Sequence, residues 1–191
     1  MTGHRVACLP GDGIGPEIMA AAKAAIAATG VAIDWVDLEV GAGAMETRGT
    51  PLPDAVIESI REIGVALKGP VTTPIGSGFR SVNVGLRTAL DLYASLRPAF
   101  TISGVPSRYE GVDLVVVREN TEDLYAGIER MAGPDTAESV KVITRTGSER
   151  IARFAFEYAM REGRRKVTVV HKANIMKLSD GLFLETAREV A

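Results

Sequence analysis

A short β-prone run, Val6 to Leu9, passes at once into Pro10-Gly11-Asp12-Gly13-Ile14-Gly15-Pro16 and then into an alanine-rich stretch. A strand that turns within a few glycines into a helix commits the chain to layered α/β packing, and this constrains the fold most. Pro16 suits a helix first turn, and Glu17 complements the positive end of the dipole there. Ile18 to Ala28 is therefore predicted to be helical, ended by Gly30. Ala32 to Leu38 alternates like a strand. Pro53 to Ile63 is predicted to be a helix with Val56, Ile57 and Ile60 inward. Val65 to Leu67 follows as a buried strand closing at Lys68-Gly69-Pro70. The order β-α-β-α-β implies parallel strands with covering helices.

After Pro98 the texture changes. Asp113 to Val117 reads as a strand leading into Arg118-Glu119-Asn120. Leu124 to Ile128 and Ser139 to Thr144 are extended runs around Gly133-Pro134-Asp135, a hairpin or projecting arm. Gly147 to Glu162 is strongly periodic and helical, Lys166 to Val170 is a strand, and Ser179 to Ala191 is a helix. A lobe boundary is expected within residues 98–106, giving lobes 1–98 and 99–191. The last helix stops without glycine, asparagine or any cap, where a β-α unit would return to a strand. The chain is therefore expected to be incomplete.

With 191 residues, 46% hydrophobic and 24% charged, there is material for one domain or two lobes. A formal net charge of -2 and a pI near 5.8 leave no general basic footprint for nucleic acid. Cys8 is the single cysteine, so no disulfide forms within the chain, and its apolar setting suits a buried thiol. The first residues, MTGHRVACLPGDG, lack a charged segment followed by an apolar one. No window approaches the roughly 20 apolar residues of a membrane span. A cytoplasmic enzyme or binding protein, with no membrane partner, is the expectation.

The glycine turn does not match the common nucleotide motifs. Pro16 occupies the sixth position of G-x-G-x-x-G, and the G-K-[ST] ending of a phosphate loop is missing. The stretch Arg80 to Pro98 carries more chemistry. Asn83 and Arg87, four positions apart, share a helix face, while Val82, Leu86, Ala89, Leu90 and Tyr93 form the apolar side. Ser81 stands at the N-cap, where anions are favoured, and Arg97 lies on the extended segment beyond. A solvated helix with an ordinary serine cap is the competing reading. Lys68 to Ser81 is a glycine- and threonine-rich loop at the carboxyl end of a parallel strand, where ligands bind. Thr72 and Thr73 offer donors to a cofactor there.

Arg118 ends an apolar strand and must pair with Glu119, Glu122 or Asp123 or bind an anion. Tyr125 follows seven positions on, either as a core aromatic or as a catalytic phenol. Lys172 and Asn174 close the predicted strand 166–170, and a lysine so placed can move protons if its surroundings permit. His171 has no second histidine or cysteine near it and stays outside the site. The aspartates show no compact metal-ligand spacing.

Four blocks stand in order: LPGDGIGPEI, KGPVTTPIGSGFRSVNVGLRTALDLYASLRP, DLVVVRENTEDLYAGIE and VHKANIMKLSDGLFLE. Together they resemble the isocitrate and isopropylmalate dehydrogenase family of β-decarboxylating dehydrogenases, and the NAD-dependent isocitrate branch most. The resemblance implies that family's α/β fold: a largely parallel sheet with covering helices, in two lobes and truncated here. It implies oxidation of a 2-hydroxy acid by NAD with Mg2+ or Mn2+, followed by loss of CO2. Arg87, Arg97 and Arg118 would hold substrate carboxylates, and Ser81 and Asn83 would contact the third carboxylate of isocitrate. Tyr125 would transfer a proton to the enolate, and Lys172 would assist deprotonation of the substrate hydroxyl. Thr72, Thr73 and Ile14 would lie against the cofactor, Ile14 at its adenine. The active unit would be a homodimer, with Lys172 and Asn174 contributed in trans. The family's metal-binding aspartates would lie past residue 191, so no metal ligand is expected in this chain, which by itself would be inactive. Homoisocitrate, tartrate and isopropylmalate dehydrogenases are the rival enzymes, and a noncatalytic regulatory subunit is the rival class.

Overall fold

The computed structural model describes residues 3–73 and 81–191. Residues 74–80, part of the loop read above as a ligand loop and including Arg80, lie outside the described residues. The chain forms two compact units, Met1–Leu90 and Asp91–Ala191. The division precedes the expected boundary at residue 98 because residues 94–100 pair within the second unit.

In the first unit the order is β1 (His4–Leu9), α1 (Gly15–Ala27), β2 (Ile33–Asp37), α2 (Ala42–Arg48), α3 (Asp54–Ile63), β3 (Ala66–Lys68) and α4 (Val82–Ala89). The sheet runs β2-β1-β3 with both pairings parallel, as the sequence pattern implies. Cys8 stands opposite Asp37 on one side and Leu67 on the other. As the central strand, β1 buries Ala7, Cys8 and Leu9 completely, each 0% exposed. Val56 and Ile60 of α3, Val82 and Leu86 of α4, and Val40 close the core over Ala7 and Leu9. Each such fully buried aliphatic side chain contributes roughly 1.5–3 kcal/mol. The short helix α2 was not anticipated. Its sequence, AGAMETR, carries no apolar stripe, and only Ala44 is buried.

Helix α4 ends at Ala89, so Tyr93 is not on its apolar side as expected. Tyr93 belongs to the second unit, where its ring meets Phe154 edge-on at 6.2 Å. The elements there are β4 (Ala94–Phe100), β5 (Asp113–Glu119), β6 (Asp123–Gly133), β7 (Thr136–Val142), α5 (Arg145–Arg161) and α6 (Ser179–Val190). β4 and β5 are antiparallel, and β6 and β7 form an antiparallel hairpin longer than the expected runs.

The strand expected over residues 166–170 does not form. A strand exists only through a hydrogen-bonded neighbour. Among the described residues β5 pairs with β4 alone. A cleft of about 680 Å3 lies among Val115 and Val117 of β5, Val167 and Val169 of the unpaired segment, and Ile151 and Ala155 of α5.

Candidate functional site

The glycine turn of the first unit packs on its own chain. A Cβ on Gly11, at φ +76, would stand 1.9 Å from the Pro70 carbonyl oxygen, so only glycine allows the approach. Asp12 ties the turn down. Its Oδ1 accepts the Thr72 backbone N–H at 2.7 Å, and its Oδ2 accepts that of Ala42 at 3.2 Å. Burial pushes the Asp12 carboxyl up, but bonds from Thr72 and Ala42 and the charge of Lys68 outweigh it and hold it below its ordinary value. Three loops thus meet at one carboxylate at the carboxyl ends of β1 and β3. Thr72 and Thr73 stand exposed there. Ile14 is the N-cap residue of α1, 66% exposed, with no side-chain cap bond. An exposed apolar side chain beside backbone donors can accept a planar ring and its polar edge.

Helix α4 presents Ser81, Asn83 and Arg87 within two turns. Ser81 is the N-cap, yet among the described residues its hydroxyl makes no cap bond. The Asn83 Oδ1 is buried and has no hydrogen-bond partner among the described residues. Arg87 is half-buried, and among the described residues no carboxylate lies within ion-pair distance of it. Lys68, at the end of β3, was passed over in the sequence. Desolvation, with the Arg87 charge nearby, lowers its pKa, partly opposed by Asp12. Its Nζ donates to the Gly69 carbonyl. Its position at a parallel-strand carboxyl end was the signal that could have found it. Two cations within electrostatic reach of one another favour an anion.

The second unit brings the other arginines onto one face. Ser95 stands opposite Arg118, and Arg97 opposite Val116, in the β4–β5 register. Residues two apart on a strand share a face, so Arg97 and Arg118 project to the same side. Arg97 Nε donates to Ser95 Oγ at 3.2 Å. Arg118 Nη2 donates to the Tyr125 oxygen at 3.1 Å, and its guanidinium lies 5.3 Å from the ring centre. Neither Arg97 nor Arg118 pairs with a carboxylate among the described residues; the expected rivals Glu119 and Glu122 are engaged elsewhere. Glu119 accepts from the Thr121 and Glu122 N–H groups and from Arg150, fixing the turn between β5 and β6. Because Tyr125 accepts from Arg118, its own hydrogen is free to be given to a reacting atom.

Lys172 and Asn174 are exposed in a turn before α6. The Lys172 carbonyl accepts the N–H groups of Ile175 and Met176 at 3.0 and 2.9 Å. Among the described residues no hydrogen bond links this turn's side chains to Arg118 or Tyr125, and the expected contribution in trans does not require one. Among the described residues no three His, Cys, Asp or Glu side chains cluster to hold a metal.

Fold and side chains define an α/β protein with Lys68 near Arg87 in one unit and Arg97 and Arg118 on one face of the other, groups suited to small anions. The chain belongs to the isocitrate/isopropylmalate dehydrogenase family, whose family model matches residues 5–191. It is 52% identical over 186 residues to NAD isocitrate dehydrogenase regulatory subunit 1, mitochondrial, from Arabidopsis thaliana, covering 97% of this chain and 49% of that protein. It is 47% identical over 182 residues to NAD isocitrate dehydrogenase catalytic subunit 5, mitochondrial, from the same plant, covering 95% and 49%. Its structure matches the crystal structure of isocitrate dehydrogenase from Methylococcus capsulatus with a TM-score of 0.92 at 55% identity, over 98% of this chain and 56% of that one. The chain spans about half the length of the curated relatives it matches. These relatives correct one expectation. Their names place them in the mitochondrion, which overturns the cytoplasmic assignment. The names also separate regulatory from catalytic subunits, so they lend the expected homodimer no support.

Proposed function

We propose that this chain supplies the carboxylate-binding and proton-transfer residues of an NAD-dependent isocitrate dehydrogenase. The Arg118–Tyr125 contact at 3.1 Å carries the reading. It sets a guanidinium with no carboxylate partner among the described residues beside a phenolic hydroxyl, as binding a carboxylate next to a protonation step requires. Arg87, Arg97 and Arg118 bind substrate carboxylates, with Lys68 reinforcing Arg87. Ser81 and Asn83 choose isocitrate over its apolar analogues through the Ser81 hydroxyl and the buried Asn83 amide. Tyr125 gives its proton to the enolate carbon after CO2 leaves. Lys172 takes part in removing the hydroxyl proton. Thr72, Thr73 and Ile14 meet NAD. A divalent cation, Mg2+ or Mn2+, supplies Lewis-acid stabilisation of the enolate when bound; no ligand for it is assigned to this chain.

The exposed apolar hairpin β6–β7, with Ile128 52% and Met131 64% exposed, supports association with another member of the same family. A second reading, a noncatalytic regulatory subunit, is favoured by the name of the 52% identical Arabidopsis relative. One experiment separates the two. This chain is joined to the part of the Methylococcus enzyme it does not cover, and NADH formation from isocitrate is followed. Turnover that Lys172→Ala and Tyr125→Phe each lower by about 100-fold or more, to a residual rate, supports the catalytic reading. Unchanged kcat in both variants supports the regulatory one. The 191-residue chain alone is expected to show no turnover.

A further inference from the structure

Lys172 has an exposed side chain on a backbone that is held at several points, and the group holding it most directly is buried. Asp180, in the first turn of α6, is 4% exposed. Its Oδ2 accepts the Lys172 backbone N–H at 2.5 Å. Its Oδ1 accepts the Lys141 ammonium at 2.6 Å. Lys141 comes from β7 and also lies 3.9 Å from Asp123, the first residue of β6. Asp123 holds a left-handed backbone at φ +65, unusual for a residue other than glycine, and opens the strand that carries Tyr125. The chain Asp123–Lys141–Asp180 thus ties the origin of β6 to the turn of residues 171–174. The far side of the turn is closed by its own bonds: His171 Nδ1 accepts the Ala173 N–H, and the Lys172 carbonyl accepts from Ile175 and Met176.

We propose that Asp180 is a positioning residue for Lys172, with Lys141 as its counter-ion, and that the pair fixes the lysine backbone against the start of β6. The proposal rests on the reading of Lys172 as a proton-transfer group. A flexible four-carbon side chain loses fewer reaction geometries if its backbone is fixed, because orientation contributes to rate only when the reacting atom returns to one place. Burial raises the Asp180 carboxyl, but the bonds from Lys141 and Lys172 bring it below its ordinary value, so it is charged at neutral pH and accepts from both donors. An ionised acceptor also makes the stronger bond to a backbone N–H.

Two measurements test this. On the 191-residue chain, hydrogen exchange of the Lys172 amide is read by NMR in wild type, Asp180→Asn and Asp180→Ala, the first of these keeping the side-chain volume. Protection at Lys172 is expected to fall about tenfold or more while β1 amides, in the other unit, keep theirs; unchanged protection overturns the proposal. In the enzyme completed with the Methylococcus half, Asp180→Asn is expected to lower kcat about 10- to 100-fold with the KM for isocitrate within about threefold. The same substitution made in a Lys172→Ala background is expected to cost nothing more. An equal loss in both backgrounds means that Asp180 acts on folding alone and overturns the proposal. If Lys172→Ala by itself leaves kcat unchanged, the catalytic reading of Lys172 fails, and the exchange result still reports separately whether Asp180 pins the turn.

Discussion

Arg118 and Tyr125 are separated by a turn of chain, yet they meet as donor and acceptor at 3.1 Å. The Arg118 side chain is exposed and is not needed for packing. Arg118→Met in the completed enzyme is therefore expected to lower kcat/KM for isocitrate by about 10- to 100-fold, the cost of one or two charge-assisted bonds. Its thermal midpoint should stay within about 2 °C of wild type; a similar kcat/KM would remove Arg118 from the site. Asp12 works differently, through the backbone. Its carboxyl lies below its ordinary value in the fold, so the stabilisation it contributes is complete above about pH 4 and is lost as pH falls through the folded value. Urea titrations should find Asp12→Asn less stable than wild type at pH 7 by about 1–2 kcal/mol, with the gap narrowing below about pH 4. A gap independent of pH would mean that the charge contributes nothing. The Ser81, Asn83 and Arg87 spacing on α4 was legible in the sequence because residue type and helical position coincide. Asp12 was not, since its partner Thr72 lies 60 positions away and only folding brings them together.

Elements follow the same division between local and long-range causes. β1, α1, α3 and α4 declared themselves through turn residues and apolar spacing, which are properties of a few neighbouring residues. Residues 166–170 have the composition of a strand but no partner among the described residues, so propensity alone did not make one. The turn between β5 and β6 depends on a residue far along the chain. Arg150 of α5 bonds Asp91 at 2.9 Å and Glu119 at 3.2 Å, and its guanidinium covers Tyr93 at 4.6 Å from the ring centre. Glu119 in turn holds the N–H groups of Thr121 and Glu122. Removing Arg150 leaves a largely buried carboxylate without its cation and frees the turn that sets Arg118 against Tyr125. Arg150→Ala should destabilise the second unit by about 2 kcal/mol in urea unfolding followed by far-UV circular dichroism. An effect below about 0.5 kcal/mol would show that the Thr121 and Glu122 bonds suffice.

At the level of the whole molecule, the two units differ in how completely each closes its own core. Every member of the main apolar cluster, from Ala7 through Val40, Val56, Ile60 and Val82 to Leu86, lies in the first unit, and no described cleft of comparable size interrupts it. The second unit keeps a cleft of about 680 Å3 lined by valines of β5 and of residues 166–170 and by Phe183 of α6. Apolar surface left against water lacks both the hydrophobic contribution and the dispersion contacts that close packing gives. Isolated residues 1–90 are therefore expected to fold cooperatively and to leave the fluorescence of an anilinonaphthalene sulfonate dye unchanged. Isolated residues 91–191 are expected to bind the dye strongly and to unfold with a broader transition. Ala155→Leu, which projects into the cleft from α5, should reduce the dye signal of the second fragment and raise its midpoint by a few degrees, as cavity filling commonly does. A second fragment that ignores the dye while keeping its secondary structure would mean that the cleft collapses in solution, and that residues 166–170 find a partner within the unit itself.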